Sequence, residues 1–295
     1  MKKHKMQHDW AHIGIAFCEK NCIIYMYIFM HLQRTGENGM ERLQIAAQTY
    51  TVREYTKTEA GIASSLEKIA KIGYDSVQVS GFGPCRAEFL RDELLKNGLR
   101  AVASHTPYER IVGDTEKVIS EHKIAGIPVV GLGYRKLAAV AQTEQFLREL
   151  LPAARKIRDA GLRFAYHNHQ WEFVRMENGE TAMRYLLEHT KPEEFGLIAD
   201  LYWLQYAGVS PERFLRENGE RIPLVHFKDM RVDPASGEPR FAEIFEGNMD
   251  YSSYARAAAE AGIPCAAVEQ DECYGVSPFE ALRISRENIR KKLHL

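Results

Sequence analysis

The stretch RFAYHNHQWEF, residues 163–173, carries two histidines two positions apart. Residues i and i+2 of an extended strand share a face, so His167 and His169 bring two imidazoles to the place where that strand ends. Three later apolar runs end in side chains of related chemistry: LIAD at Asp200, PLVHFKD at His226 to Asp229, and AAVEQD at Glu269 to Asp271. Imidazole nitrogens and carboxylate oxygens drawn from several strand ends make the ligand set of a divalent metal.

Each residue has a plainer reading beside this one. Asp200 is either a metal ligand or the N-cap of the segment that follows it. A lone histidine among apolar residues is commonly a hydrogen-bonded core group, but Lys228 lies two positions from His226 and faces the same way, which favours a site. Glu269 follows CAAV, and a carboxylate at a buried strand end is costly unless it is paired or metal-bound. One of His167 and His169 can brace the other. Glu172 is near enough to accept the second N–H of a metal-bound imidazole. His105, after AVAS, is a substrate contact or a structural histidine. Gln48 and Tyr50 end the first strand, and Tyr134 ends the fourth. Trp171 and Trp203 either pack or form the apolar wall of a sugar site, and Arg53 reads as an ordinary pairing group.

The elements that must position these residues recur from Met40 onward. An amphipathic helix, a glycine stop and a short apolar strand repeat at KIGYDSVQVSG, KNGLRAVASH, KIAGIPVVGLG, RDAGLRFAYHNH, EEFGLIADLYW, NGERIPLVHFKD and EAGIPCAAVEQD. The expected stops are Gly73, Gly98, Gly126, Gly161, Gly196, Gly219 and Gly262. With LQIAAQTY in front, eight strands alternate with helices, which predicts an α/β fold, a single (β/α)8 TIM barrel over residues 40–295. A doubly wound sheet is the alternative, but no G-x-G-x-x-G follows the first strand, which argues against a dinucleotide cofactor. Chemistry in a barrel sits at the C-terminal strand ends, where these polar residues fall. Two long connections, 170–179 and 230–250, are expected to cover the site.

The chain has 295 residues and a formal net charge of −1, which argues against a nucleic-acid partner and for a small-molecule enzyme. Five scattered cysteines form no disulfide framework and point to a reducing compartment, hence a cytoplasmic protein. Cys18 and Cys22 lack the second pair that a zinc site needs. Residues 1–39 read as an N-terminal extension outside the fold, with Met40 as an alternative start. Their apolar run, residues 22–32, is shorter than the roughly 20 residues that span a bilayer and lacks a signal-peptide cleavage site, so no membrane partner is expected.

Taken together, QTYTVREY, YHNHQWEF, DLYWLQYAG, HFKD, FEGNMDY and AGIPCAAVEQD resemble the sugar phosphate isomerase/epimerase superfamily, the xylose isomerase-like TIM barrels, over residues 42–290. The resemblance implies one divalent metal, often manganese, with cobalt, iron, zinc or magnesium as alternatives, held by a Glu, an Asp, a His and a Glu from the fifth to eighth strands. Asp200, His226 and Glu269 match the last three, while His167 stands where many members have the first Glu. Two-base epimerisation is thereby put in question. The implied catalytic groups are Glu269, His167, His169 and Lys228, with His105, Gln48, Tyr50, Trp203 and Glu172 at the substrate. The implied reaction is proton abstraction next to the carbonyl of a keto-sugar or cyclitol through a metal-stabilised enediolate, with a histidine base that needs no large pKa shift. It is completed as isomerisation or epimerisation, or as elimination by a keto-inositol dehydratase or 3-keto-glycoside lyase. A metal-free sugar-binding protein is the more distant reading, and a homo-oligomer is compatible with all of them.

Overall fold

The structure is a computed structural model that describes residues 43–295. The expected N-terminal extension, residues 1–39, with Cys18 and Cys22, lies outside the described residues.

Eight short, largely buried strands form one parallel sheet. They are β1 (Gln44–Gln48), β2 (Ser76–Val79), β3 (Arg100–Ser104), β4 (Val129–Leu132), β5 (Arg163–His167), β6 (Gly196–Asp200), β7 (Leu224–Phe227) and β10 (Cys265–Val268). Hydrogen-bonded neighbours run β3-β2-β1-β10-β7-β6-β5-β4. The two ends of this row meet without a ladder; the backbone N–H of Thr106 donates to the carbonyl of Gly131 at 2.7 Å across the seam. The result is the expected (β/α)8 barrel, closed everywhere but at β3 and β4. A side chain at Gly131 would overlap the Ser104 carbonyl, so glycine lets these two strands approach.

The helices wrap this sheet, among them α1 (Glu59–Ile72), α2 (Ala87–Lys96), α3 (Tyr108–Gly113), α4 (Thr115–Ala125), α5 (Val140–Asp159), α6 (Ala182–Glu188) and α7 (Leu201–Tyr206). The remaining ones are α8 (Pro211–Asn218), α9 (Tyr251–Glu260) and α10 (Pro278–Leu293). The main core lies between helices and strands, where Ile62, Leu66, Phe146, Phe195 and Phe227 are fully or almost fully buried. A second, smaller core fills the barrel itself with compact residues: Ala46, Ala103, Val129, Ala165, Ile198, Leu224, Cys265 and Ala267. Strand alternation then dictates what stands one layer above them, because i+2 faces inward again. From Ala165 that is His167, from Ile198 Asp200, from Leu224 His226, and from Ala267 Glu269.

Two of the seven expected helix stops are something else. Gly73 and Gly126 do end α1 and α4 in the left-handed conformation, with φ of 103° and 71°. Gly196 instead opens β6, and Gly219 is right-handed at φ −52°. Both are places of close approach: an added Cβ would press on the Phe164 carbonyl at 2.7 Å and on the Ala261 carbonyl at 2.5 Å. The long connection 230–250 is no irregular flap either. It holds an antiparallel hairpin of β8 (Asp229–Val232) and β9 (Pro239–Ala242). Asp229 anchors it, accepting backbone N–H groups of Met230 at 2.7 Å, Phe245 at 2.9 Å, Gly247 at 3.2 Å and Met249 at 3.3 Å. Cys85, Cys265 and Cys273 are free thiols. No helix of the described residues is long and apolar enough to cross a membrane.

Candidate metal centre and active site

Four side chains converge at the C-terminal ends of β5, β6, β7 and β10. His167, Asp200, His226 and Glu269 each offer one ligand atom, and those atoms all lie within 4.8 Å of one another. Asp200 is the N-cap that one of its sequence readings expects, and its other oxygen faces the cluster. Its Oδ1 accepts the Trp203 N–H at 3.1 Å and caps α7, while Oδ2 lies 3.2 Å from His167 Nε2. Asn168 braces the pair of strands by accepting the Asp200 N–H at 3.0 Å.

His226 shows how the cluster is oriented. Its Nε2 faces Gln78 Oε1 at 2.7 Å, and because an amide oxygen only accepts, Nε2 carries the proton there. Nδ1 is thereby turned to Glu269 Oε2 at 2.9 Å and Asp200 Oδ2 at 3.6 Å. Among the described residues neither Nδ1 nor Glu269 Oε2 has a well-formed hydrogen bond, although both are buried. His226 Nδ1 and Glu269 Oε2 face one another in a buried nitrogen-and-oxygen donor set that fits a divalent transition metal, which would displace the proton between them.

Lys228 completes the centre. Its ammonium is only 1% exposed and lies 3.0 Å from Asp200 Oδ2, 2.8 Å from Glu269 Oε2 and 3.2 Å from Asp271 Oδ2. Burial by itself would push the Asp200 and Glu269 carboxyls up, but the ammonium and the imidazoles outweigh it and hold both well below the usual range. Burial also disfavours a charged His226, yet Glu269 and Asp200 lift its pKa to about 8.

Above the cluster opens a cavity of about 910 Å³ that reaches His105, His167, His169, Lys228, Glu269 and Asp271. His169 is not among the four clustered ligands; its ring centre lies 4.6 Å from that of His167 and 5.1 Å from that of Tyr134. The expectation of a histidine near its ordinary pKa fails here. Burial, with neighbouring imidazoles adding to it, pushes His167 down to about 4 and His169 to about 2, so both rings are neutral.

The expected substrate contacts divide. Tyr50 and His105 line the cavity. His105 stacks on His167 with ring centres 5.1 Å apart, and its Nδ1 lies 3.2 Å from Ser80 Oγ. Glu172, Gln48 and Trp203 are not part of the lining. Glu172 is fully buried, accepting Tyr166 Oη–H at 2.9 Å and the His169 N–H at 2.6 Å, so it supports the turn that carries His169. Burial raises its pKa to about 7. Gln48, also fully buried, accepts the Tyr50 N–H at 3.2 Å and caps the turn 49–55. Trp203 packs behind His169, ring centres 5.4 Å apart. The cavity wall does not come from the two long connections. It comes from the shorter segments after β3 and β4, including Tyr108, Tyr134, Arg135 and Lys136. The sequence reading passes over Gln78 and names Asp271 only as the end of its strand, with no role of its own; inward parity along SVQV was the available signal for Gln78.

Fold and site together define a (β/α)8 barrel with a candidate divalent-cation centre at the mouth. The chain belongs to the xylose isomerase-like TIM barrel family, whose family model matches residues 66–291. It is 26% identical over 235 residues to inosose dehydratase 2 of Bacillus cereus, a match covering 70% of this chain and 74% of that one. A sugar phosphate isomerase/epimerase of Parabacteroides distasonis ATCC 8503 superposes with a TM-score of 0.70 at 21% identity, covering 88% of this chain and 96% of its own. A structure of IolI protein with a bound zinc atom superposes with a TM-score of 0.63 at 14% identity, covering 84% and 97%. At these identities the two superpositions show a shared fold.

Proposed function

We propose that this protein is a divalent-metal-dependent enzyme that removes a proton next to the carbonyl of a keto-sugar or cyclitol, as a sugar isomerase or epimerase. The observation that carries this reading is the buried cluster of His167, Asp200, His226 and Glu269, with the Lys228 ammonium beside it, opening into one cavity. The cation, manganese first and cobalt, iron, zinc or magnesium as alternatives, would be held by those four residues and would polarise a substrate carbonyl. Lys228 places a fixed positive charge where negative charge develops on the substrate oxygen, in a site shielded from water. Glu269 reaches the cavity and is the group available to take the proton; His169 reaches it too, but burial makes its ring a weaker base than that of His167. His105, stacked on His167, and Tyr50 line the same cavity and would orient the substrate. The partner is a small molecule, and the zinc-bound neighbour supports the metal assignment.

A second reading, elimination of a β-hydroxyl, has its own support. The family resemblance implies a second glutamate where His167 stands, and burial keeps His167 a weak base, which leaves Glu269 without a carboxylate partner across the substrate. The match to an inosose dehydratase points the same way. Proton NMR in heavy water, with manganese-loaded protein and a panel of ketohexoses and 2-keto-inositol, separates the two. Exchange of the carbon-bound hydrogen with the skeleton retained indicates isomerisation or epimerisation, and loss of a hydroxyl indicates dehydration. Absence of both across the panel, with metal bound, would move the sugar-binding reading forward.

A further inference from the structure

The three carboxylates around Lys228 raise a question the four-ligand cluster does not answer. Asp200 Oδ2 and Glu269 Oε2, which a cation would take as ligands, are the same atoms that lie 3.0 Å and 2.8 Å from the ammonium. Asp271 Oδ2 approaches from a third direction at 3.2 Å and belongs to neither histidine. Trp203 and Phe241 close the remaining side, each ring centre 5.7 Å from Nζ. Nearly complete burial of a lysine among three converging carboxylate oxygens is the geometry of an occupied cation position.

We propose that the Lys228 ammonium is a resident second cation: it fills a three-carboxylate position next to the four-residue cluster, so that the protein takes up one exogenous divalent ion instead of two. Charge counting agrees. Three carboxylates and one ammonium leave two negative charges, which a single divalent ion neutralises. Without the ammonium, three negative charges and a vacated pocket of oxygen ligands remain. Those suit a second hard cation sharing Asp200 and Glu269 with the first, as in paired-metal sites. A lysine in that place supplies the positive pole permanently, independent of metal supply.

The inference rests on the cluster being a metal site, and the test keeps the two apart. Wild type, Lys228→Met and the double variant Lys228→Met/Asp271→Asn are stripped with chelator and dialysed against manganese at pH 7.5. Bound metal per chain is read by elemental mass spectrometry, and folding by near-ultraviolet circular dichroism. One equivalent in wild type, two in Lys228→Met and one in the double variant is the expected pattern. Lys228→Met that folds only with manganese and holds two equivalents supports the same conclusion. One equivalent in both wild type and Lys228→Met overturns the proposal and leaves the metal centre standing, as does a Lys228→Met protein that manganese cannot fold. An empty wild type beside one equivalent in Lys228→Met overturns both, since the ammonium would then occupy the sole cation position. No metal in any protein refutes the centre itself.

Discussion

Replacing Gln78 by leucine tests how the centre is built, because Gln78 touches no proposed ligand atom. Its Oε1 accepts from His226 Nε2 at 2.7 Å with both side chains fully buried. Leucine removes the acceptor at similar volume. A buried donor left unsatisfied costs about 1–3 kcal/mol. His226 has an escape, however: the Nδ1–H that its raised pKa favours faces Glu269 Oε2, 2.9 Å away, and can be kept as the ring's one proton. The metal-free fold should therefore lose only the lower end of that range, about 1 kcal/mol. Metal binding loses more, since freeing Nδ1 then requires the ring's remaining proton to sit on Nε2 against an apolar neighbour. Removal of such an outer-shell partner typically weakens metal affinity about 10–100-fold. Chelator competition at pH 7.5 with manganese and zinc measures the affinity, and long-range ¹H–¹⁵N NMR of the imidazole reads the tautomer. Gln78→Glu keeps the acceptor and should bind at least as tightly as wild type. A folded Gln78→Leu protein that binds within twofold of wild type, with Nε2 still protonated, would refute the reasoning.

Three further outcomes are expected. Chelation should lower the unfolding temperature and manganese or zinc should restore it, since a cation at a hundred times its Kd adds about 2.7 kcal/mol; Asp200→Asn and Glu269→Gln should abolish the response, and identical melts with and without metal would contradict it. Asp229→Ala strips the acceptor from four backbone N–H groups and should cost about 3 kcal/mol in urea unfolding, whereas a loss under about 1 kcal/mol would mean that the hairpin loop holds itself. His122 is buried with Nε2 2.8 Å from Ser104 Oγ, and burial holds its pKa below the ordinary value near 6.5. The folded chain then binds fewer protons than the unfolded one, so its stability is lost as pH falls through about 6.5. His122→Gln should flatten the change in urea midpoint between pH 7.5 and 5.5, and an unchanged slope would exclude His122 as a contributor.

The sequence made the barrel and the four clustered side chains legible for one reason: apolar strands that end abruptly in His, Asp or Glu obey a period of two. His167, Asp200, His226 and Glu269 all lie two residues beyond an inward apolar residue, so their convergence followed from strand parity alone. Parity also reached Lys228. It says nothing about groups that turn away after the strand ends. Glu172 folds back to hold the His169 N–H, and Gln48 caps its own turn, choices made by local backbone geometry. Gln78 was hidden because a single amide inside SVQV looks like ordinary alternation, and its partner is 148 residues away. Gly196 and Gly219 matched the helix-stop pattern, but crowding by distant carbonyls is what excludes a side chain there.

The missing ladder between β3 and β4 divides the ring into stiff and yielding arcs. On one arc, β5, β6, β7 and β10 are paired edge to edge, and they carry all four proposed ligands. On the other, two staves meet at a single N–H···O contact, and the segments that follow them supply much of the cavity wall. Any breathing of the cylinder concentrates at that slit, so the entrance can widen around a guest while the spacing of the ligands stays fixed. Hydrogen exchange should find the Thr106 amide opening well before those of β6 and β7; equal protection would mean the hoop is uniform after all.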